Sequence, residues 1–454
     1  MSEQSEFLFS DRASDTDLLL ALFEKADRLF VKKLSNNDRD WARFENKHQA
    51  GIYVPHEYRD GGFFPALEGK ERSDPDASEI RERFFGLVWP QASGEPKETR
   101  LVHYTSKSQE THLTRLPKAL FSGLLPASFL VMGRIRSEPE PLYECLAIDS
   151  GSDDAAYLTE LLALEPDFTV GEFDPTEIVE EERERILDFA EQVIAAWLAG
   201  DIIPFAAHNA AMPNTTDLAG MARSQFLERH GLATLNPFEI CNPGDALREI
   251  SRSIEWDLFR EFQRRERAVA LVRIVMGDDP VTTVGATHVI RRLVDELPEI
   301  DRLMLSASQQ RKSRAGYSYE HHIEAMLAGG GIPFEKQVII EARKRPDFIL
   351  PSLEFINAKK PEAETGLILS AKTTLRERWK QVEREKGKRA LFLTTVDENI
   401  ASNVIEDMAS FGVHLVIPES LKDAKETEYK GHTNVLSFRE FCDDVVQPSM
   451  GKWA

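Results

Sequence analysis

Four residues in the C-terminal half have the types and order that phosphodiester hydrolysis needs. Glu320 lies on a predicted helix, and Asp347 opens a predicted strand in Arg345-Pro346-Asp347-Phe348-Ile349-Leu350. Lys372 ends the next strand, Gly366 to Lys372, and Glu385 follows on a later helix. Carboxylates are hard oxygen ligands suited to Mg²⁺, the metal polarises a phosphate and its bound water, and a lysine positions that water or stabilises developing charge. A Pro-Asp pair followed at a distance by x-Lys is a weak pattern alone, because most such matches are surface residues. The order helix-Glu, strand-Asp, strand-Lys, helix-Glu is more specific, since each residue falls on the element the chemistry requires. Directly after the lysine runs Thr373-Thr374-Leu375-Arg376-Glu377-Arg378-Trp379. Arginine suits guanine O6 and N7, and glutamate accepts from the cytosine amino group, so Arg376, Glu377 and Arg378 at a helix start can read adjacent C·G pairs. The bland alternative for the triplet is a mixed-charge surface.

Other chemistries fail on the same inspection. Gly329-Gly330-Gly331 lacks a following Lys-Ser/Thr and reads as a helix C-cap and turn. His321 and His322 are adjacent on a helix, about 100° apart, and cannot chelate one metal as an i, i+4 pair can. Cys145, Cys241 and Cys442 form no CxxC pair, which excludes a disulfide scaffold and a cysteine zinc site.

The elements that must position these residues change character along the chain. After a helix at 15–29, the first third reads as short strands rich in aromatic and β-branched residues, separated by turn residues, which predicts a β-barrel or sandwich. At Asp174-Pro175 a helix begins, with Asp174 as N-cap and Pro175 in the first turn, and runs to Gly200. Residues 201–243, interrupted by Pro and Gly, read as linker or irregular packing. From about 244, helices at 245–275, 285–306 and 317–328 precede alternating strands and helices, which predicts one α/β domain. The expected division is 1–175, 176–243 and 244–454.

With 454 residues and 42% apolar content the chain can fill real cores. Its first fifteen residues have no basic and apolar signal pattern. The most apolar long stretch, 193–212, contains Asp201, Pro204 and His208 and makes no clean membrane helix. A reducing, cytoplasmic setting with no membrane partner is expected. The net charge of −21 at first argues against nucleic acid. It conceals an asymmetry: residues 172–191 carry nine acids against Arg183 and Arg185, whereas 371–389 carry eight bases against three acids. The basic run is a candidate polyanion footprint, with a solvated helix face as the alternative.

The stretches Arg311–Glu320, Lys344–Ser352, Ala371–Lys386 and Gly412–Leu421 together resemble the EcoRII-like type II restriction endonucleases. The resemblance implies a PD-(D/E)xK nuclease fold in which the second metal-site acid has moved from strand to helix. Ser370-Ala371-Lys372 stands where Glu/Asp-x-Lys would be, and Glu385 occupies the migrated position. Asp347 and Glu385 would then be metal-site acids, Glu320 a supporting acid, Lys372 the catalytic lysine, and Arg376, Glu377 and Arg378 the readers of CC:GG pairs. Further upstream, Phe30–Asp38 and Lys47–Pro55 resemble the start of the family's B3-like effector pseudobarrel. On that basis Lys32, His48 and Tyr53 fall on a first DNA-contacting arm, and Lys97, Glu98 and Arg100 on a second, which has Pro96 where a base is expected.

The resemblance implies a Mg²⁺-dependent endonuclease that cuts double-stranded DNA at a palindrome of CCGG, CCNGG or CCWGG type. A palindrome in turn implies a homodimer. Autoinhibition by the N-terminal domain is expected, with the acidic helix 174–199 lying against 371–389. The competing reading is a catalytically inactive or modification-dependent B3-type DNA sensor.

Overall fold

The computed structural model describes residues 14–45, 51–69, 79–105, 110–277, 285–300, 318–336, 346–375 and 391–453. It divides into two compact units, Met1–Val179 and Glu180–Ala454.

The first unit is built on one sheet that, among the described residues, has nine strands. They are β1 (Arg28–Lys33), β2 (Ile52–Val54), β3 (Glu68–Gly69), β4 (Ile80–Val88), β5 (Lys97–Tyr104), β6 (Thr111–Thr114), β7 (Phe129–Arg136), β8 (Leu142–Ile148) and β9 (Val170–Phe173). The path runs β2-β6-β5-β4-β8-β7-β1-β9, antiparallel except for the parallel pair β4–β8. Strand periodicity explains why it buries both faces. Leu29 and Val31 of β1 join one core with Val131, Leu146 and Ile148, while Phe30 joins the other with Leu130, Met132 and Tyr143. Helix α1 (Asp15–Lys25), capped by Ser14, covers the first of these faces through Leu19 and Leu22. It lies so close to β7 that a Cβ on Gly133 would come within 2.5 Å of Leu22 Cδ1. Helices pack into both cores of this unit, Leu19 and Leu22 into one and Trp41 of the helix Asn36–Arg43 into the other, and the predicted helix 15–29 ends at Lys25 because Arg28–Lys33 alternates into both cores.

The acidic helix, Pro175–Leu198, begins at the end of the first unit and continues into the second, and the Thr176 amide at its start donates to Asp174 Oδ1 at 2.9 Å. Its C-terminal half packs Val193 and Trp197 against Val269 and Val272 of the long helix Glu255–Met276. In its acidic half, Glu182 accepts from Arg264 Nε of that helix at 2.7 Å. The expected partner stretch of the acidic helix is 371–389, of which 376–389 lies outside the described residues. Residues 201–243, expected as linker, form helices Ile202–Asn209 and Thr215–His230. The second places Leu218, Ala219, Ala222 and Phe226 on one face at helical spacing, and Ala222 and Phe226 enter the main core.

A six-stranded mixed sheet forms the centre of this unit among the described residues: β10 (Glu335–Lys336), β11 (Phe348–Leu350), β12 (Leu367–Ala371), β13 (Leu391–Thr394), β14 (Val413–Ile417) and β15 (Val435–Ser437), in that spatial order. The first two pairings are antiparallel and the remaining three parallel. Leu369, Ala371, Phe392 and Val416 bury one face beneath Ile250, Ile254 and the helix at 318–329, which contributes Tyr319, Ile323 and Met326. Leu391, Leu393 and Leu415 bury the other face beneath Ile405 and Met408 of the helix Ser402–Ser410. The result is an α/β/α sandwich. At the end of the helix 318–329, Gly331 adopts φ +62°, the left-handed turn expected of the glycine triplet, and Gly329 lies against the Leu235 carbonyl with no room for a Cβ.

Candidate active site

The antiparallel pairing of β11 with β12 matches Phe348 to Leu369, so the start of one strand sits beside the end of the other. Asp347, just before β11, is thereby brought to Lys372, just after β12. Asp347 Oδ2 accepts from the Ala371 amide at 2.8 Å and from Lys372 Nζ at 2.9 Å. From the helix at 318–329, Glu320 Oε1 approaches the same ammonium to 3.9 Å. The side chains of Glu320 and Asp347 are only 13% and 14% exposed, and that of Lys372 27%.

Two carboxylates facing one ammonium leave one excess negative charge among these three groups. Such a cluster repels a phosphodiester unless a cation joins it, and its oxygen donors are those that Mg²⁺ prefers. Glu385 lies outside the described residues, as do Arg376, Glu377 and Arg378. The fourth acid and the base-reading triplet therefore stand as sequence assignments.

Ser370, on the same strand face as Lys372, is fully buried and its hydroxyl makes no hydrogen bond. A carboxylate in that enclosed place would carry the desolvation cost of a buried charge, which the hydroxyl avoids.

Around this core lie groups that the sequence reading missed, gathered at the end of β13. The Thr394 carbonyl accepts from the Lys372 amide at 3.0 Å, and its hydroxyl meets the buried Tyr319 hydroxyl at 2.9 Å. One residue of β13 thus fixes both the lysine's backbone and the helix that carries Glu320. Three residues on, the Asp397 carboxylate accepts from the Leu375 amide at 2.7 Å. Burial pushes the Asp397 carboxyl up from its ordinary range, against backbone hydrogen bonds from Leu375 and Asn399. The available signal was Thr394-Thr395-Val396-Asp397, a polar run directly after the apolar Leu391-Phe392-Leu393. Beneath Glu320, His322 is fully buried, with Nε2 2.6 Å from Glu255 and Nδ1 3.4 Å from Arg223. A ring that donates to the carboxylate and accepts from the guanidinium is neutral. Burial accordingly lowers the His322 pKa, outweighing the opposite pull of Glu255.

The residues expected on the effector arms occupy a different setting. Lys32 is 6% exposed, with Nζ 2.7 Å from Asp38 Oδ2 and 2.5 Å from the Tyr53 carbonyl. Its contacts are thus internal ones that tie β1 to β2 and to the capped start of the helix Asn36–Arg43. Tyr53 is half-buried beneath the Lys32 ammonium, 5.2 Å from the ring centre. Arg100 pairs with Glu82 at 2.5 Å, and Glu98 pairs with Arg115. Lys97 is exposed at the start of β5, and His48 lies outside the described residues.

Residues 283–442 match the family model described as EcoRII C terminal. The match lies within the second unit. Over 210 residues, 44% of this chain, the sequence is 28% identical to the type II restriction enzyme SsoII of Shigella sonnei, covering 66% of that protein. Over 143 residues, 31% of this chain, it is 36% identical to the type II restriction enzyme EcoRII of Escherichia coli, covering 35% of it. The chain thus spans just under two thirds of the first relative and about a third of the second. A solved structure of metal-depleted Ecl18kI with uncleaved, modified DNA aligns with a TM-score of 0.41 and 24% identity, over 59% of this chain and 84% of that one. The EcoRII C-terminal match takes in Glu320, Asp347, Lys372 and the end of β13. No helix among the described residues is long and apolar enough to cross a membrane.

Proposed function

We propose that this chain is a Mg²⁺-dependent type II restriction endonuclease that cuts double-stranded DNA in the cytoplasm. The observation that carries the reading is the meeting of Glu320, Asp347 and Lys372 at adjoining strand ends, within a segment that matches the EcoRII C-terminal family. Asp347 and Glu385 would hold the metal. When bound, Mg²⁺ supplies charge neutralisation at the phosphate and acidifies a ligated water. Lys372, released from part of its pairing with the two acids, donates to a phosphate oxygen or to the attacking water. Glu320 helps to orient that ammonium.

Arg376, Glu377 and Arg378 would read CC:GG pairs in a palindrome of CCGG, CCNGG or CCWGG type, and two copies of the chain would present one active site to each strand. The first unit, with proposed boundaries near 1–175, would act as a B3-like effector domain that binds a further copy of the site. Residues 176–243 would connect it to a catalytic domain at 244–454.

The deciding experiment incubates the purified chain and Mg²⁺ with plasmids of known sequence, methylated and unmethylated, and maps the ends produced. Discrete cuts within CC/GG palindromes are expected. DNA left intact in both methylation states, but still bound, would favour the inactive sensor instead.

A further inference from the structure

Between the lysine assigned to cutting and the triplet assigned to reading lie three residues, Thr373, Thr374 and Leu375. Both ends of this short connection are fastened to the end of β13. At one end the Lys372 amide donates to the Thr394 carbonyl at 3.0 Å. At the other, the Leu375 amide donates to Asp397 Oδ2 at 2.7 Å, while the Leu375 side chain sits in the core formed with Leu391, Ile405 and Tyr429.

Asp397 is 2% exposed, and each of its carboxylate oxygens has a backbone donor: Leu375 on Oδ2 and, at 3.3 Å, Asn399 on Oδ1. Its main-chain carbonyl accepts from the buried Tyr429 hydroxyl at 2.6 Å, and its amide donates to Thr395 Oγ1 at 3.1 Å. A carboxylate this enclosed is costly to bury, and the cost falls on the one bond that reaches out of its own turn to another segment. A backbone carbonyl or a hydroxyl would satisfy Leu375 more cheaply. The use of a carboxylate gives a shorter, stiffer contact at the point where the chain leaves the cutting site.

We propose that Asp397 is a positioning residue for specificity: by holding the Leu375 amide it fixes where the chain leaves the cutting site, one residue before the triplet assigned to base reading, so that cutting is tied to correct reading. This inference rests on the nuclease reading above and adds a residue that touches neither DNA nor metal. Loss of the contact frees the Leu375 backbone immediately before that triplet. Discrimination between the target and single-base variants then falls, over and above any loss of stability.

The test uses the full chain as wild type, Asp397→Ala, Asp397→Asn and Tyr429→Phe. Each is measured for cleavage of the mapped target and of targets with one base pair changed, and for thermal unfolding. Asp397→Ala is expected to lower the target-to-variant ratio about 10- to 100-fold, the range for a lost buried bond to a charged acceptor. Asparagine offers a weaker acceptor to the same amide, and Asp397→Asn is expected to lower the ratio only about 3-fold. Tyr429→Phe destabilises the same turn without touching the Leu375 contact and is expected to keep the wild-type ratio. Should Asp397→Ala fail to fold, the asparagine variant decides: a ratio equal to wild type overturns the inference. So does Tyr429→Phe lowering the ratio as much as the Asp397 variants. A wild-type chain that cuts without site preference refutes the base-reading assignment itself, and this inference with it.

Discussion

The polar groups of the two units are satisfied in opposite ways. In the first unit the residues assigned to DNA contact are locked into separate local pairs: Lys32 with Asp38, Arg100 with Glu82, Glu98 with Arg115. Each pair is neutral, and each joins a strand of the sheet to a neighbouring segment. In the second unit Glu320, Asp347 and Lys372 arrive from three elements, converge on one point and leave an excess charge. Balanced pairs hold neighbouring elements together, whereas the acids around Lys372 gather oxygen donors beside a strand end. That contrast supports the second unit as the seat of the proposed chemistry. It also gives the arm residues of the first unit a structural duty that any DNA contact must share.

The contrast can be broken most directly at its centre. Asp347→Ala or Lys372→Ala should slow cleavage by about 10³-fold or more while changing target affinity only a few-fold, because these groups act on the phosphate rather than the bases. Single-turnover cleavage beside equilibrium binding reads both quantities, and near-wild-type cutting by either variant would remove the site assignment. Next in size is Lys32→Ala, which leaves the fully buried Asp38 with its Ser35 and Tyr53 donors but no cation, and should cost about 1.5–3 kcal/mol in the first unit. Denaturant unfolding of the full chain checks this, and an unchanged midpoint would return Lys32 to the class of free DNA contacts.

A smaller effect separates the units by pH. Neutral, buried His322 has a lowered pKa, so below about 6.5 the unfolded chain binds a proton that the folded chain resists. Stability of the second unit is then fully present above that pH and declines as pH falls toward the folded value, by at most about 1.4 kcal/mol per pH unit. His322→Gln should flatten the decline in calorimetry between pH 7 and 5.5. The smallest expected effect is at Arg100→Ala. Removing this partly exposed pair should cost under about 1 kcal/mol of stability. If Arg100 also meets a phosphate, the salt dependence of DNA binding should fall by about one ion. An unaltered slope would confine Arg100 to pairing with Glu82.

Sequence reasoning reached the second unit further than the first, for a physical reason. The buried strands Leu367–Ala371 and Leu391–Thr394 are uninterrupted apolar runs, and a carboxylate or lysine at such a strand's end stands out against them. Asp347 and Lys372 were legible for that reason, and their meeting followed once the two strands paired antiparallel. The contributions of Thr394 and Asp397 showed only as polar residues after an apolar strand, because a hydrogen bond to a distant backbone amide leaves no mark on spacing that names its partner. In the first unit, Arg28–Lys33 begins and ends in charge, and its two lysines mask a strand buried on both faces. Residues 201–243 misled in the other direction. Pro204 fits the first turn of one helix and Gly220 lies within the other, so neither interrupts its helix, while Ala219, Ala222 and Phe226 do the packing.

One contact in the second unit has a bearing on the order of assembly during synthesis. The Glu419 carboxylate accepts from the amides of Gly244 and Asp245, at the start of the helix Pro243–Glu249, and from the amide of Arg439. The main core likewise gathers Ala222 and Phe226 with Phe438, Phe441 and Val446. Contacts separated by some two hundred residues cannot form until the later partner has left the ribosome. A sheet that carries Asp347 and Lys372 but lacks its last strand and the Glu419 clasp is an open, unfinished layer. On the proposed nuclease reading, the cutting site is complete only once the chain has been made as far as Val446. The first unit, closed within residues 1–179, is free to fold well before that moment.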